Sequence, residues 1–180
     1  ENNVGVDFGN VSGTGNFTVD LADTFYTDNK RFENVQAIKS AANTTNVLVG
    51  TNNGSNEFYG GATATTILGG AGADTMHGYD GSNSQSGNTT FFTNADQGLD
   101  VVADFKSGDR VYAPFLSGVE VAGSDVRVFS TVTDSEGNTV REENQYLTLK
   151  NAAGKTINVT GGIDGVSAMT MKANLGANVN

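Results

Sequence analysis

The sequence predicts an all-β protein whose centre is a parallel β-roll, a β-solenoid with nine-residue repeats, flanked by capping strands and a C-terminal antiparallel β-sheet. Large apolar residues recur every nine residues at Val49, Phe58, Ile67 and Met76, and mostly Gly, Asn, Ser, Thr and Ala stand between them. The 180 residues include 24 glycines and one proline, which is typical of short strands joined by tight turns. The apolar share of 37%, below the roughly 45–50% of globular domains, favours a thin core.

The N-terminal segment, residues 1–46, is predicted to form capping strands. Residues 4–21 contain two runs of alternating apolar and polar residues, separated by a glycine-containing turn. This pattern predicts two short strands that form either a hairpin or the first rung of the solenoid. Apolar residues three positions apart in 32–38 fit one helical turn or a bulged strand, and the alternation that resumes at Val47 favours a strand that enters the roll.

Residues 47–112 are predicted to form the β-roll and the strand that closes it. Four nonapeptides run in phase over residues 51–86, and the best preserved is Gly-Gly-Ala-Gly-Ala-Asp-Thr-Met-His at 69–77. In each repeat the first six residues form a turn and the last three form a short strand, so that two repeats complete one lap of about 18 residues. The four apolar residues at nine-residue spacing therefore alternate between the two walls of the roll and form a core stack.

The C-terminal region, residues 113–180, is predicted to form antiparallel hairpins and a tail. Strand patterns at 119–121, 126–132, 146–150 and 156–159 are separated by turns that are rich in Gly, Asn, Asp and Ser. These strands are expected to cap the roll, because a solenoid without caps exposes apolar surface and unpaired strand edges.

The nonapeptide at 69–77 resembles, residue for residue, the repeat of the RTX proteins, the family of haemolysin-type calcium-binding repeats. The segment 100–111 is similar to the stretch that closes β-rolls in this family, with Asp-Phe and Gly-Asp pairs after an apolar run. The resemblance covers residues 32–112. It implies calcium ions held between a turn and the turn one lap later, by backbone carbonyl groups and by the aspartate of each turn. It also implies export from a bacterial cell and folding promoted by external calcium.

Carried onto this chain, the family pattern implies a metal site on one edge of the roll. Asp74 is expected to stack over Asn56, and Gly54, Gly70 and Gly72 are expected to supply backbone oxygens. Glycine is needed in such turns because a Cβ would prevent the carbonyl groups from converging. An all-oxygen site with one carboxylate suits Ca²⁺ at the weak end of its affinity range. The alternative is a ladder of hydrogen bonds between Asn, Thr and Ser side chains that needs no ion.

The opposite edge and the closing segment are the two other places where a metal site is considered. On the opposite edge, Thr65 is expected to stack over Asn83, which leaves no carboxylate there and disfavours calcium. In the closing segment, Asp96, Asp100 and Asp104 form a second candidate metal site. The alternative is a solvated acidic edge, because alternate residues of a strand lie on opposite faces.

The composition excludes several classes of function. The formal net charge of −10 disfavours a nucleic-acid partner and is compatible with bound cations. The absence of cysteine excludes disulfides and thiolate metal sites, and no apolar run approaches the roughly 18 residues of a membrane span. No catalytic residue is predicted, because His77 is the one histidine and the sequence contains no nucleophile elbow, zinc-binding histidine motif or phosphate-binding loop.

These observations predict a non-catalytic structural or adhesive module of a larger secreted or cell-surface bacterial protein, stabilised by calcium. The expected partners are other domains of the same long chain and a glycan or other ligand on a cell surface. The alternative is a carbohydrate-binding module appended to a polysaccharide-active enzyme, with Tyr59, Tyr79, Phe91 and Phe92 as candidate contacts. A polysaccharide-active enzyme built on the roll is a third hypothesis, and it requires carboxylates that converge in one cleft.

Overall fold

In a computed structural model of the chain, every regular element of the described residues is a β-strand. The prediction of an all-β fold with parallel sheets is confirmed for these residues, among which no helix long and apolar enough to cross a membrane occurs. The described residues are 4–10, 16–21, 35–41, 45–51, 54–61, 64–79, 89–92, 98–112, 118–160 and 169–172. The strands are β1 (Val4–Asp7), β2 (Asn16–Asp20), β3 (Val35–Lys39), β4 (Thr45–Val49), β5 (Glu57–Tyr59), β6 (Thr65–Leu68), β7 (Thr75–His77), β8 (Thr89–Phe92), β9 (Leu99–Val102), β10 (Arg110–Tyr112), β11 (Gly118–Ala122), β12 (Asp125–Thr133), β13 (Thr139–Leu149), β14 (Thr156–Thr160) and β15 (Met169–Lys172).

The strands form two sheets. Sheet A has eight strands in the order β1-β3-β5-β7-β9-β13-β12-β11, and sheet B has seven in the order β15-β14-β10-β8-β6-β4-β2. Through the first ten strands the chain therefore alternates between the two sheets, and neighbouring strands within each sheet run parallel. This winding matches that of a β-solenoid.

The first two strands form a rung of this winding and not a hairpin. β1 pairs in parallel with β3 in sheet A, and β2 pairs in parallel with β4 in sheet B. The described part of the segment 32–38, for which a helical turn and a bulged strand were both considered, belongs to the strand β3. Its register with β1 shifts, because Val4 pairs with Val35 whereas Gly5 pairs with Ala37. This irregularity lets both Val35 and Ile38 point into the core, although they are three residues apart.

The core lies between the two sheets and contains three of the four residues of the predicted stack. Phe58 and Met76 pair across β5 and β7, Ile67 lies on β6 of the other sheet, and all three are fully buried. Val49 does not share this position. It is partly exposed, whereas its neighbour Leu48 is fully buried and pairs with Ile67. The lap from β4 to β6 is one residue longer than two nonapeptides, and this extra residue moves the inward position from Val49 to Leu48.

The C-terminal strands continue both sheets. β11, β12 and β13 form antiparallel hairpins, and β13 joins sheet A through parallel pairing with β9. β14 pairs in parallel with β10 in sheet B and in antiparallel with β15. One cluster of buried apolar side chains extends from Val19 on β2 to Ile157 on β14, so the core is continuous along the winding.

The position of Leu48 gives a mutational test of the register. Leu48→Ala removes a fully buried side chain, and we expect it to lower the free energy of unfolding by about 2–5 kcal/mol. Val49→Ala is the matched control, because it truncates a partly exposed side chain one residue away, and it should cost clearly less. Denaturation in guanidinium chloride measures both values, and equal losses would contradict the register.

Candidate metal centre

Three polar residues that precede or begin the central strands β5, β7 and β9 of sheet A lie side by side. The parallel register places Asn56 before β5, Asp74 before β7 and Asp100 at the start of β9 in one row. We call these three residues the turn ladder. Each of them is at most 5% exposed, although each is strongly polar. Buried polar groups need partners, and the partners of the turn ladder define the site.

Hydrogen bonds from backbone to side chain connect the turn ladder. The backbone N–H of Asn56 donates to Asp74 Oδ1 at 2.6 Å, and the backbone N–H of Asp74 donates to Asp100 Oδ1 at 2.9 Å. Each carboxylate therefore accepts a hydrogen bond from the turn one lap earlier. Such charge-assisted bonds are stronger than bonds between neutral groups, and they also satisfy backbone N–H groups that are buried.

Glycines let the backbones of these turns approach one another. A Cβ placed on Gly72, which has a φ of +136°, would collide with the carbonyl oxygen of Gly54 one lap earlier. A Cβ on Gly98 would likewise collide with the carbonyl oxygen of Gly72. A Cβ on Gly70, which has a φ of +95°, would collide with the carbonyl oxygen of Thr51. Of the predicted backbone ligands, Gly70 and Gly72 thus allow the close approach of the turns, and Gly54 carries the carbonyl group that Gly72 approaches. A side chain at Gly70 or Gly72 would push the turns apart.

Asp74 and Asp100 each keep one carboxylate oxygen without a hydrogen-bond partner. Oδ2 of each residue is buried, and no donor in the described residues reaches either atom. Burial raises the pKa of Asp74 to about 6 and the pKa of Asp100 to about 7, although the backbone hydrogen bonds that they accept act in the opposite direction. The charge of Asp74 also raises the pKa of Asp100. Two neighbouring buried anions are unfavourable, and a proton or a cation would stabilise them.

The two free carboxylate oxygens suit a hard cation such as Ca²⁺, which prefers carboxylate and carbonyl oxygens. A Cβ placed on Gly69 would lie 2.5 Å from Asp74 Oδ2, so the free oxygen of Asp74 faces bare backbone. Within the described ranges, no three His, Cys, Asp or Glu side chains are grouped to hold a metal. An ion at this pair would therefore complete its coordination with backbone oxygens.

Asn56, the predicted partner of Asp74, lies next to it but already uses its side-chain oxygen. Asn56 Oδ1 accepts hydrogen bonds from the backbone N–H of Thr51 at 2.9 Å and from the Thr51 hydroxyl at 3.1 Å. Asn56 thereby closes its own turn. Within the turn ladder, the side-chain oxygens that lack donors are on Asp74 and Asp100. The candidate metal centre therefore lies one lap further along the chain than the sequence indicates.

Two residues of the second predicted metal site, Asp100 and Asp104, do not come together. Asp100 accepts from the backbone N–H of Asp74, which precedes β7, whereas Asp104 accepts from the backbone N–H of Gly78, which follows β7, at 2.6 Å. The two carboxylates thus lie at opposite ends of a strand. Asp96 lies outside the described residues. Asp100 does not belong to a solvated edge either, because it is 1% exposed.

The opposite edge of the roll carries a polar row whose acidic member is satisfied. Thr65 pairs with Thr89 across β6 and β8, and Asn83, its predicted neighbour, lies outside the described residues. Asp109 follows in the row. Its Oδ1 accepts from the backbone N–H of Thr89 at 3.1 Å, and its Oδ2 accepts from the backbone N–H of Lys106 at 2.8 Å. Both oxygens of Asp109 therefore have donors, and this carboxylate is satisfied by hydrogen bonds within the described residues.

Nine-residue spacing does not find Asp100 because the laps differ in length. Asp74 follows Asn56 by 18 residues, but Asp100 follows Asp74 by 26. A local signal is nevertheless present in the sequence. Gly98-Leu99-Asp100-Val101-Val102 has the order glycine, any residue, Asp or Asn, any residue, apolar residue, which also occurs at 54–58 and 72–76. A search for this five-residue pattern without a fixed period finds all three turns.

The aromatic residues considered as sugar contacts are spread over different parts of the molecule. Phe91 is fully buried in the core, and Phe92 stacks on Tyr112 of the neighbouring strand in sheet B. Tyr79 lies in the turn after β7. Tyr59 lies on β5 of sheet A, the strand that pairs with β7, and is therefore separate from Phe91 and Phe92 of sheet B.

Two comparisons with known proteins found no match to this chain. No protein-family model matches it, and no curated protein matches it. Its function is therefore inferred from the arrangement of its own residues.

The raised pKa values predict that, without calcium, the protein loses stability as the pH rises. The pKa of Asp74 is about 6 and that of Asp100 about 7 in the fold, against 3.8 for an ordinary aspartate. Between about pH 4 and pH 7 the folded state therefore binds more protons than the unfolded state. This stabilisation is complete below about pH 4 and is lost as the pH rises through the folded-state values. We expect the melting temperature in EDTA, measured by circular dichroism, to be lower at pH 8 than at pH 5.

Asp100→Asn tests the origin of this pH dependence. The amide has a similar shape and has no proton to lose, so the variant should lose less stability than the wild type between pH 5 and pH 8. Asp125→Asn is the control, because a hydrogen bond from Lys150 lowers the pKa of Asp125, and it should keep the wild-type slope in this range. A wild-type slope in Asp100→Asn would refute the assignment.

Proposed function

We propose that the chain is a non-catalytic β-roll module that uses calcium to lock its turns, as a structural or adhesive part of a larger secreted or cell-surface bacterial protein. One observation carries the proposal. Asp74 and Asp100 are buried carboxylates on neighbouring turns, and each has an oxygen without a donor. A calcium ion bound there would supply the positive charge that the pair lacks at neutral pH.

The contrast between the two edges of the roll supports an ion on one of them. Asp109 is buried to a similar degree, yet backbone N–H groups satisfy both of its oxygens. The chain can therefore build a complete hydrogen-bonded carboxylate where no cation is needed. At Asp74 and Asp100 it leaves two acceptors free and places glycine backbone beside them. This difference favours a site for a cation over a ladder that is only structural.

The location outside the cell rests on the resemblance of 69–77 to the RTX repeat and on the calcium supply that such a site needs. Calcium-binding modules of the extracellular kind have dissociation constants of about 10⁻⁴–10⁻³ M. A site with two carboxylates and backbone oxygens belongs to this weak range, because affinity increases with the number of charged ligands. Such a module has its highest free energy of unfolding outside the cell, where the calcium concentration is high.

Thermal unfolding with calcium added or removed tests the proposal. At ten times the dissociation constant, an ion that binds only the folded state adds about 1.4 kcal/mol of stability. For a protein of this size, that gain raises the melting temperature by about 3–6 °C. Asp74→Asn and Asp100→Asn should each abolish the rise, because each replaces a charged ligand by a neutral amide.

Asp109→Asn is the matched control for the two calcium-site variants. It replaces a buried carboxylate on the other edge, so it should lower the melting temperature both with and without calcium and keep the difference between the two. An equal melting temperature in EDTA and in about 10 mM calcium, which exceeds the expected range of dissociation constants, would count against the proposal. Titration calorimetry without a binding signal would confirm that negative result.

A further inference from the structure

An open groove lies on sheet A over β1, β3 and β5, which we call the sheet A groove. It has two lobes, of about 270 and 520 Å³, and both are lined by Gly5 and Ala37. These two residues form a low floor, because neither has a side chain beyond Cβ and a Cβ on Gly5 would be 3.6 Å from that of Ala37. The volumes are close to or within the range of roughly 300–1,000 Å³ that is usual for small-ligand sites.

Tyr59 forms an aromatic wall of the smaller lobe. Its ring stacks on the ring of His77, with centroids 4.4 Å apart and an angle of 5° between the planes. The Tyr59 hydroxyl donates to Glu57 Oε1 at 2.6 Å, and His77 Nε2 lies 3.3 Å from the same oxygen. His77 is on β7 and covers one face of the ring, so the other face is turned toward β3 and the groove. These contacts hold the ring in place before a ligand binds, which reduces the entropy cost of binding.

The charged and polar groups of the groove suit an uncharged ligand. Lys39 Nζ and Asp7 Oδ2 lie 3.4 Å apart beside the smaller lobe, so their charges offset each other. Glu57 leaves the groove with a negative charge, in a chain whose net charge is −10, and this disfavours an anionic ligand. Ligand hydroxyls can donate to Glu57, whose side chain is 46% exposed. They can also exchange hydrogen bonds with Ser55 and Thr75 in the larger lobe.

We propose that the sheet A groove binds neutral sugar units of a polysaccharide. A hexose has an apolar face of C–H groups, which fits the free face of Tyr59 above the floor of Gly5 and Ala37. Its hydroxyl groups lie at the rim of the ring and fit the carboxylate and hydroxyl groups of the groove. The two lobes lie side by side and provide space for successive sugar units. Sugar binding at this face uses different side chains from the calcium pair.

Affinity gel electrophoresis tests the proposal. The probes are three neutral polysaccharides, namely a β-glucan, an α-glucan and a galactomannan, and polygalacturonate serves as the anionic comparison. We expect at least one neutral polysaccharide to retard the protein and polygalacturonate to leave its mobility unchanged. Equal mobility in all four gels would overturn the proposal. The melting temperature of the same samples with and without calcium is measured separately, so a failure of the sugar site is distinguishable from a failure of the calcium site.

Variants of the groove locate the binding site. Tyr59→Ala removes the aromatic wall and Ala37→Leu fills the floor, and each should weaken binding by about tenfold or more. Glu57→Gln tests the carboxylate and serves as the second groove variant if Ala37→Leu does not fold. The matched control is Tyr112→Ala, which truncates a tyrosine that stacks at the same 4.4 Å, on Phe92 of sheet B. Loss of binding in Tyr112→Ala, or full binding in both Tyr59→Ala and Glu57→Gln, would overturn the assignment to this groove.

Discussion

Hydrogen bonds between the backbone of one turn and the carboxylate of the next hold the laps of this protein in register. β5 and β7 have only three residues each, so their own backbone pairing offers few bonds to resist a slip. A slip of one residue would turn every inward side chain outward. The bonds from Asn56 to Asp74 and from Asp74 to Asp100 prevent this at the start of each strand. The burial of Phe58 and Met76 depends on them.

The same register places the two candidate binding sites. Within β5, Phe58 points into the core, and its neighbours Glu57 and Tyr59 are partly exposed. One three-residue strand therefore contributes to the core and to the sheet A groove, and the residue before it belongs to the turn ladder. Because the core, the sheet A groove and the turn ladder share so short a segment, a change in its backbone conformation would affect all three. The sites differ in chemistry: the turn ladder is desolvated and acidic, whereas the groove is open and lined by small and hydroxyl-bearing side chains.

The sequence predicts those features that depend on spacing within an unbroken repeat. Phe58 and Met76 are one regular lap apart, and both take the positions that their spacing indicates. Regular spacing does not find the positions of Leu48 and Asp100. A single extra residue before β6 shifts the first, and a longer turn before β9 shifts the second, although the strands still pair. A turn can change in length while the strands on either side of it still pair. A search that requires a fixed spacing then fails to find the residues beyond that turn. The sheet A groove is not predicted from the sequence for the same reason, because Gly5, Ala37 and Tyr59 are separated by laps of unequal length.

The lap from Asn56 to Asp74 is a unit whose two ends are chemically alike. A duplication of this unit would insert another rung that pairs equally well on both sides, and it would add one more buried acidic or amide side chain to the row. At the other end, Leu147 stands beside Asp100 in the next strand of sheet A, and its side chain accepts no hydrogen bond, so the row ends there. Such a roll can therefore be lengthened by duplication of an internal lap. Its length is limited by the electrostatic work of stacking buried carboxylates in one row.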